Sequence, residues 1–351
     1  MQQTKKIEAI DVFCGIGGLT YGLRTAGINV KAGFDNDPTC AFAYEKNNHC
    51  KFIHADITRY DLQEMNNLYS KDSYRILVGC APCQPFSSHT NKLKNKQEDT
   101  RWDLITYFYK SIEILEPHVI SMENVQGITK TIIFKEFIRR IEDLGYLVDY
   151  EVVYCPEYGI PQNRKRLVLL GSKFGKIQVP KGTYSKGNYI TVKDTIGNLP
   201  KLKSGETDRL DPMHRAKNLS QINLLRIKQS QPNGNWQDWN PDLLPNCYKK
   251  NSGQTYKSVY GRMSWDNVSP TITTQFFNYG SGRFGHPEQD RALSLREGAL
   301  LQTFPTNYDF GRDISLTRIG RQIGNAVPPK LGFEIGKSIK SHLELINGHN
   351  I

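Results

Sequence analysis

Cys83 stands between two prolines in Gly79-Cys80-Ala81-Pro82-Cys83-Gln84-Pro85-Phe86-Ser87-Ser88, directly after the apolar run Tyr74-Arg75-Ile76-Leu77-Val78. Proline fixes φ and drives the residue before it toward extended backbone. The spacing predicts a strand that ends and hands a thiol to a stiff, exposed turn. A packed cysteine belongs inside the apolar run, whereas a nucleophile belongs at the mouth of an α/β sheet. Two other groups fit the same edge. Ser121-Met122-Glu123-Asn124-Val125 sets a carboxylate just past the apolar pair Val119-Ile120. In Gln162-Asn163-Arg164-Lys165-Arg166, extended backbone puts Gln162, Arg164 and Arg166 on one face. A thiol, a carboxylate and two guanidiniums at one sheet edge are the groups that covalent catalysis uses. The bland reading of Cys80 and Cys83 is a redox pair or half a zinc site. A redox C-x-x-C normally opens a helix, but Pro85 follows here; zinc needs two more ligands, and beyond nearby His89 there is no second C-x-x-C. No metal is expected, and Cys80 is read as a packed strand residue.

The elements that must position these groups are legible as alternating strands and helices. Strands are expected at 7–13, 29–34, 51–54, 75–80, 118–122, 149–154 and 166–171. Helical patterns fall at about 18–26, 38–47, 61–69, 102–115 and 131–144, and a helical tail runs from Lys330 to Ile346. Such alternation predicts an α/β fold, a Rossmann-like parallel sheet with helices on both faces. The first strand runs into Asp11-Val12-Phe13-Cys14-Gly15-Ile16-Gly17-Gly18, where glycines permit a sharp turn and close approach to a ligand. Asp35 ends the second strand 20 residues beyond Gly15, an offset that suits ribose hydroxyls, and Asp56 follows the third. The full G-x-G-x-x-G of a nicotinamide site is absent because position 20 is Thr. One glycine turn with acids at successive strand ends reads instead as an S-adenosylmethionine site.

From about 175 to 260, Gly, Pro, Asn, Lys and Ser dominate, with isolated aromatics that need burial. This texture predicts a smaller, irregular domain whose Trp236 and Trp239 are core residues. The chain of 351 residues carries 46 basic against 35 acidic side chains, a net charge of +11 that suits a polyanionic partner. Seven scattered cysteines argue against a disulfide framework. No apolar run approaches bilayer length and no secretory signal opens the chain, so a soluble, cytoplasmic protein without membrane contact is expected.

Taken in order, DVFCGIGG, FDND, ADIT, PCQ, ENV, QNRKR, SPTITT and GRQIGNAVPP resemble the motif series of the DNA cytosine-5 methyltransferases, over nearly the whole chain. The resemblance implies Cys83 as nucleophile toward cytosine C6 and Glu123 at the base's N3 and exocyclic amine. It places Arg166 near O2 with Arg164 in support. Pro82, Gln84, Ser87 and Ser88 would contact base or DNA, and the loop 84–98 is expected to close over a flipped base. S-adenosyl-L-methionine would be lined by Phe13, Gly15, Gly17, Asp35, Asp56, Leu104 and Asn325. Asn36 falls where many members stack an aromatic on adenine. The implied domains are a catalytic one, 1–178 plus 316–351, and a target-recognition one, 179–315, with double-stranded DNA between them. The resemblance also implies a modification enzyme of prokaryotic or phage type with no obligate protein partner, and leaves open a cognate restriction endonuclease acting on the same site. The related tRNA cytosine methyltransferases carry a Cys-Phe-Thr signature that is missing here.

Overall fold

The computed structural model describes residues 5–81, 103–250, 253, 257–313 and 315–349. Pro82, Cys83, Gln84, Ser87, Ser88 and the loop 84–98 lie outside the described residues. The chain forms two compact units, residues 1–158, 165–183 and 327–351 in the first and 159–164 and 184–326 in the second.

The first unit is built on seven strands: β1 (Lys6–Val12), β2 (Asn29–Asp35), β3 (Lys51–His54), β4 (Ser73–Gly79), β5 (Val119–Val125), β6 (Leu147–Tyr154) and β7 (Lys165–Ser172). They lie in the order β3-β2-β1-β4-β5-β7-β6. The middle strands read as unbroken apolar runs because both faces are covered. Ile10, Val12, Ile76, Leu77, Val78, Val119 and Ile120 are all buried. Helices α1 (Gly18–Thr25), α2 (Ala41–Asn48), α3 (Asp103–Leu115) and α4 (Ile132–Asp143) supply the cover. Thr131 caps α4 by accepting from Phe134 N at 3.2 Å, and α4 turns Phe134, Phe137 and Ile141 into the core.

Each expected strand is present, but the sheet is not wholly parallel. β7 runs antiparallel to both β5 and β6. The link from Tyr154 to Lys165 holds only a single 3-10 turn, Cys155–Tyr158, and two extended residues. A parallel return needs a crossover of about a dozen residues or more, usually helical, so the chain folds straight back.

A long C-terminal helix, Pro329–His349, returns to the first unit and lies on α1. Gly22 makes that approach feasible: a Cβ there would sit 2.3 Å from the Pro329 carbonyl oxygen and 2.4 Å from Phe333 N.

The second unit has little regular structure, as the Gly-, Pro- and Asn-rich composition predicts. It holds α5 (Gln221–Gln229), α6 (Leu295–Leu301), α7 (Leu316–Asn325) and a two-residue parallel pairing of Gln162–Asn163 with Ser269–Pro270. Trp236 and Trp239 are buried with Ile227 and Tyr279. Trp236 stacks on Tyr248 at 4.7 Å, and Trp239 Nε1 donates to Ser230 Oγ at 2.8 Å. A second centre is ionic: Arg291, fully buried, donates to both oxygens of Glu297 at 2.8 and 2.7 Å. Residues 159–164 and 316–326, expected with the catalytic part, fall in this second unit. The pairing with 269–270 and the hydrogen bonds of Gln162 explain the first of these shifts.

Candidate active site

The backbone after β1 passes through left-handed conformations at Phe13 (φ 62°), Gly15 (φ 52°) and Gly17 (φ 87°). Cys14 N donates to Phe34 O at 3.1 Å and Gly17 N to Cys14 O at 2.9 Å, so the turn is bound to β2 and to itself. Gly17 has a steric reason as well, since a Cβ there would lie 2.2 Å from Asn48 Nδ2. At Gly15 an added Cβ would meet nothing within 4 Å, which leaves an open face above the turn. Asp35 closes the other side: Oδ2 accepts from Gly15 N at 2.8 Å and Oδ1 from Asp37 N at 2.9 Å. Burial pushes its carboxyl upward.

Beneath this turn lies a carboxyl that the sequence reading passed over. Asp11 is buried; its Oδ2 accepts from Thr20 Oγ1 at 2.6 Å, and Thr20 Oγ1 also lies 3.0 Å from Tyr44 OH. Its Oδ1 has no hydrogen-bond partner among the described residues. Burial, with Asp35 nearby, raises its pKa to about 7. The signal was present, because Thr20 stands where a dinucleotide fingerprint has glycine. The same burial pushes the Cys14 thiol well up, which disqualifies Cys14 as a rival nucleophile.

The remaining cofactor expectations scatter more. Asp56 is exposed, and its Oδ1 serves a local turn, accepting from Thr58 N at 3.0 Å and Thr58 Oγ1 at 2.7 Å. Asn36 is exposed, with its carbonyl 3.2 Å from His54 Nε2. Phe13 and Leu104 are half-buried against the apolar core. Asn325 is exposed at the end of α7, in the second unit.

The other constellation is tighter. Glu123 sits near the carboxyl end of β5 and is 2% exposed. β5 is flanked by β4, whose Gly79 pairs with Met122, and by β7, whose Val168 pairs with Glu123. Each neighbour sends one side chain to the carboxylate. From β7, Arg166 Nε lies 3.1 Å from Oε1, an ion pair by distance although Oε1 gains no aligned hydrogen bond. From the end of β4, Cys80 Sγ donates to Oε2 at 2.9 Å. Asn124 Nδ2 reaches across the same gap to Ala81 O at 3.1 Å, fixing the strand exit that leads into Pro82 and Cys83.

Two expectations change here. Cys80 is not simply packed, because its thiol engages Glu123. Arg164 does not share a face with Arg166, because the strand breaks between Asn163 and Lys165. Arg164 is 3% exposed and turns the other way, donating at 3.4 Å to Gln162 Oε1, Ile272 O and Ala326 O. Gln162 in turn donates to Gln302 Oε1 at 2.8 Å and accepts from Ile272 N at 2.9 Å. Thus Gln162 and Arg164 bind the second unit's own backbone, while Arg166 serves the first unit's carboxylate.

The chain is 52% identical to the Type II methylase M.HgiDII of Herpetosiphon aurantiacus over 340 residues, 95% of each chain. It is 31% identical to the Type II methyltransferase M1.HphI of Haemophilus parahaemolyticus, across 94% of this chain and 86% of that one. Among solved structures, a protein assigned as a DNA modification methyltransferase, encoded within an E. coli prophage, superposes with a TM-score of 0.73. That superposition is at 21% identity and covers 97% of this chain and all of the other, a likeness of fold. The family model of the C-5 cytosine-specific DNA methylases matches residues 7–341, and the chain belongs to that family.

Proposed function

We propose that the protein methylates C5 of a specific cytosine in double-stranded DNA, using S-adenosyl-L-methionine, as the modification enzyme of a restriction–modification system. The observation that carries this reading is the buried Glu123 carboxylate, held between Arg166 and Cys80 on the strand beside the one that leads into Cys83. No helix among the described residues is long and apolar enough to cross a membrane.

Cytosine C5 is a poor nucleophile because its ring is aromatic and electron-poor. Thiolate addition at C6 breaks the aromaticity and makes C5 enamine-like, which is the office assigned to Cys83. Charge then builds at N3, where Glu123 would hold or deliver a proton, with Arg166 restraining one carboxyl oxygen and reaching the O2 side. Once C5 has taken up a methyl group, loss of its proton and expulsion of the Cys83 thiolate restore the ring. None of this is feasible within a stacked duplex, so the base must swing out.

The residues around the glycine turn fit the cofactor. The open face above Gly15 admits a ligand against bare backbone, and Asp35 retains acceptor capacity for ribose hydroxyls beside it. Phe13, Gly15, Gly17, Asp35, Asn36, Asp56, Leu104 and Asn325 are the residues assigned to hold it. When bound, S-adenosylmethionine supplies an electrophilic methyl group. Pro82, Gln84, Ser87 and Ser88 are assigned to base and DNA, and Arg164 to holding the second unit's loop in place. The catalytic part is taken to comprise the first unit and target recognition the second.

Incubation with tritiated cofactor should label duplex DNA and leave tRNA unlabelled; preferential labelling of tRNA would end this reading. Bisulfite sequencing of DNA from expressing cells identifies the modified cytosine and its site.

A further inference from the structure

We propose that Cys80 is a positioning residue for the reaction, its thiol holding Oε2 of Glu123 until the target base takes that oxygen over. The inference deepens the proposed function and rests on it, since it needs Glu123 to face the base.

The geometry is one of brackets. A carboxyl at a strand end can turn about its own bonds, and the Arg166 contact at 3.1 Å restrains just one oxygen. The thiol at 2.9 Å restrains the other from the opposite strand, so the carboxylate plane is set from both sides. Cys80 itself is fixed by backbone: its N–H donates to Val12 O at 3.3 Å, and the next carbonyl accepts from Asn124. With Glu123 almost wholly buried, water is a poor substitute for a missing donor.

Sulfur is the informative choice. A thiol is a weak donor compared with a hydroxyl or an amine. It can keep a buried carboxylate oxygen satisfied, yet it yields that oxygen to the exocyclic amine of an entering cytosine at little cost. An apolar side chain would leave Oε2 without a donor and the carboxylate free to turn away.

The test compares full-length Cys80→Ala, Cys80→Ser and Cys80→Val with the wild type in steady-state methyl transfer to duplex DNA. Thermal unfolding is measured on each, and Glu123→Gln is run in parallel. Cys80→Ala should lower kcat about tenfold, the scale of one hydrogen bond to a charged group, with KM for cofactor and for DNA unchanged within about twofold. Cys80→Ser should regain most of the loss. Cys80→Val keeps the bulk, lacks the donor and should behave as alanine does, which covers an alanine variant that fails to fold.

Alanine and valine variants turning over at the wild-type rate, while Glu123→Gln is inactive, would overturn this inference and leave the proposed function standing. Serine and alanine variants equally impaired would reduce Cys80 to a space-filler and overturn it as well. Wild-type turnover by Glu123→Gln would remove both claims together.

Discussion

At the scale of single residues, the proposed site divides into groups assigned to react and groups assigned to hold them. Cys83→Ser should keep binding DNA yet transfer no methyl, as read by filter binding beside tritium incorporation; retained turnover removes the nucleophile. Glu123→Gln should lower kcat by about a hundredfold or more, the range for a lost proton donor. Asp11 offers a different measurement. Its pKa, about 7 against an ordinary 3.8, is raised by burial. The folded state therefore keeps a proton there that the unfolded chain releases. Stability from this group is complete below about pH 3.8 and is lost as pH rises through 7. Asp11→Asn should flatten that part of the melting-temperature profile, since the amide oxygen still accepts from Thr20. A wild-type slope in the asparagine variant would disprove the assignment. Glu123 and Arg166 were legible because each stands beside a strong apolar run. Arg164 was misread for the converse reason: a two-residue alternation says nothing about where a strand stops, and here it stops at that residue.

At the scale of elements, a turn and the strand ends hold the residues proposed to act. Gly17→Ala should destabilise the protein by about 1–3 kcal/mol, from left-handed strain and from a Cβ 2.2 Å from Asn48 Nδ2, and should weaken cofactor binding. Equilibrium denaturation together with cofactor titration checks both effects. All seven strands could be placed from their apolar runs, within a residue or two at most ends. The reversal of β7 could not, because β5, β6 and β7 look alike one at a time and direction is decided by the shortness of the link. That reversal is what sets Arg166 diagonally opposite Glu123. The partner of Cys80 was hidden for a similar reason: β4 and β5 are distant in sequence, and their register is fixed by the whole sheet.

At the scale of the molecule, the two units are stabilised by different means. The first has a broad apolar core, while the second combines an aromatic cluster with buried ions. Burial opposes the charge on Glu297, but Arg291 outweighs it and brings the pKa to about 2. Burial lowers His286 to about 4, and its Nδ1 accepts from Gln289 N at 3.0 Å, as a neutral ring does. Stability from His286 is complete above 6.5 and is lost as pH falls toward 4; that from Glu297 disappears lower, through about 2. Three of the four tryptophans, Trp236, Trp239 and Trp265, lie in this unit, so tryptophan emission should report its acid unfolding. His286→Gln should reduce the loss between pH 6.5 and 4. The net charge of +11 adds a prediction about partners: DNA affinity should fall linearly on a log–log plot against salt, by about 0.9 for each phosphate neutralised.

The helix that covers α1 has a bearing on biosynthesis. The strands of the sheet leave the ribosome early, but the face of α1 around Gly22 stays bare until Pro329–His349 has been made. The glycine turn at the head of α1 thus gains its brace last, after every residue of the second unit has been translated. An interrupted chain would hold every strand of the sheet and still lack the cover of α1, so truncated products are expected to transfer no methyl group to DNA.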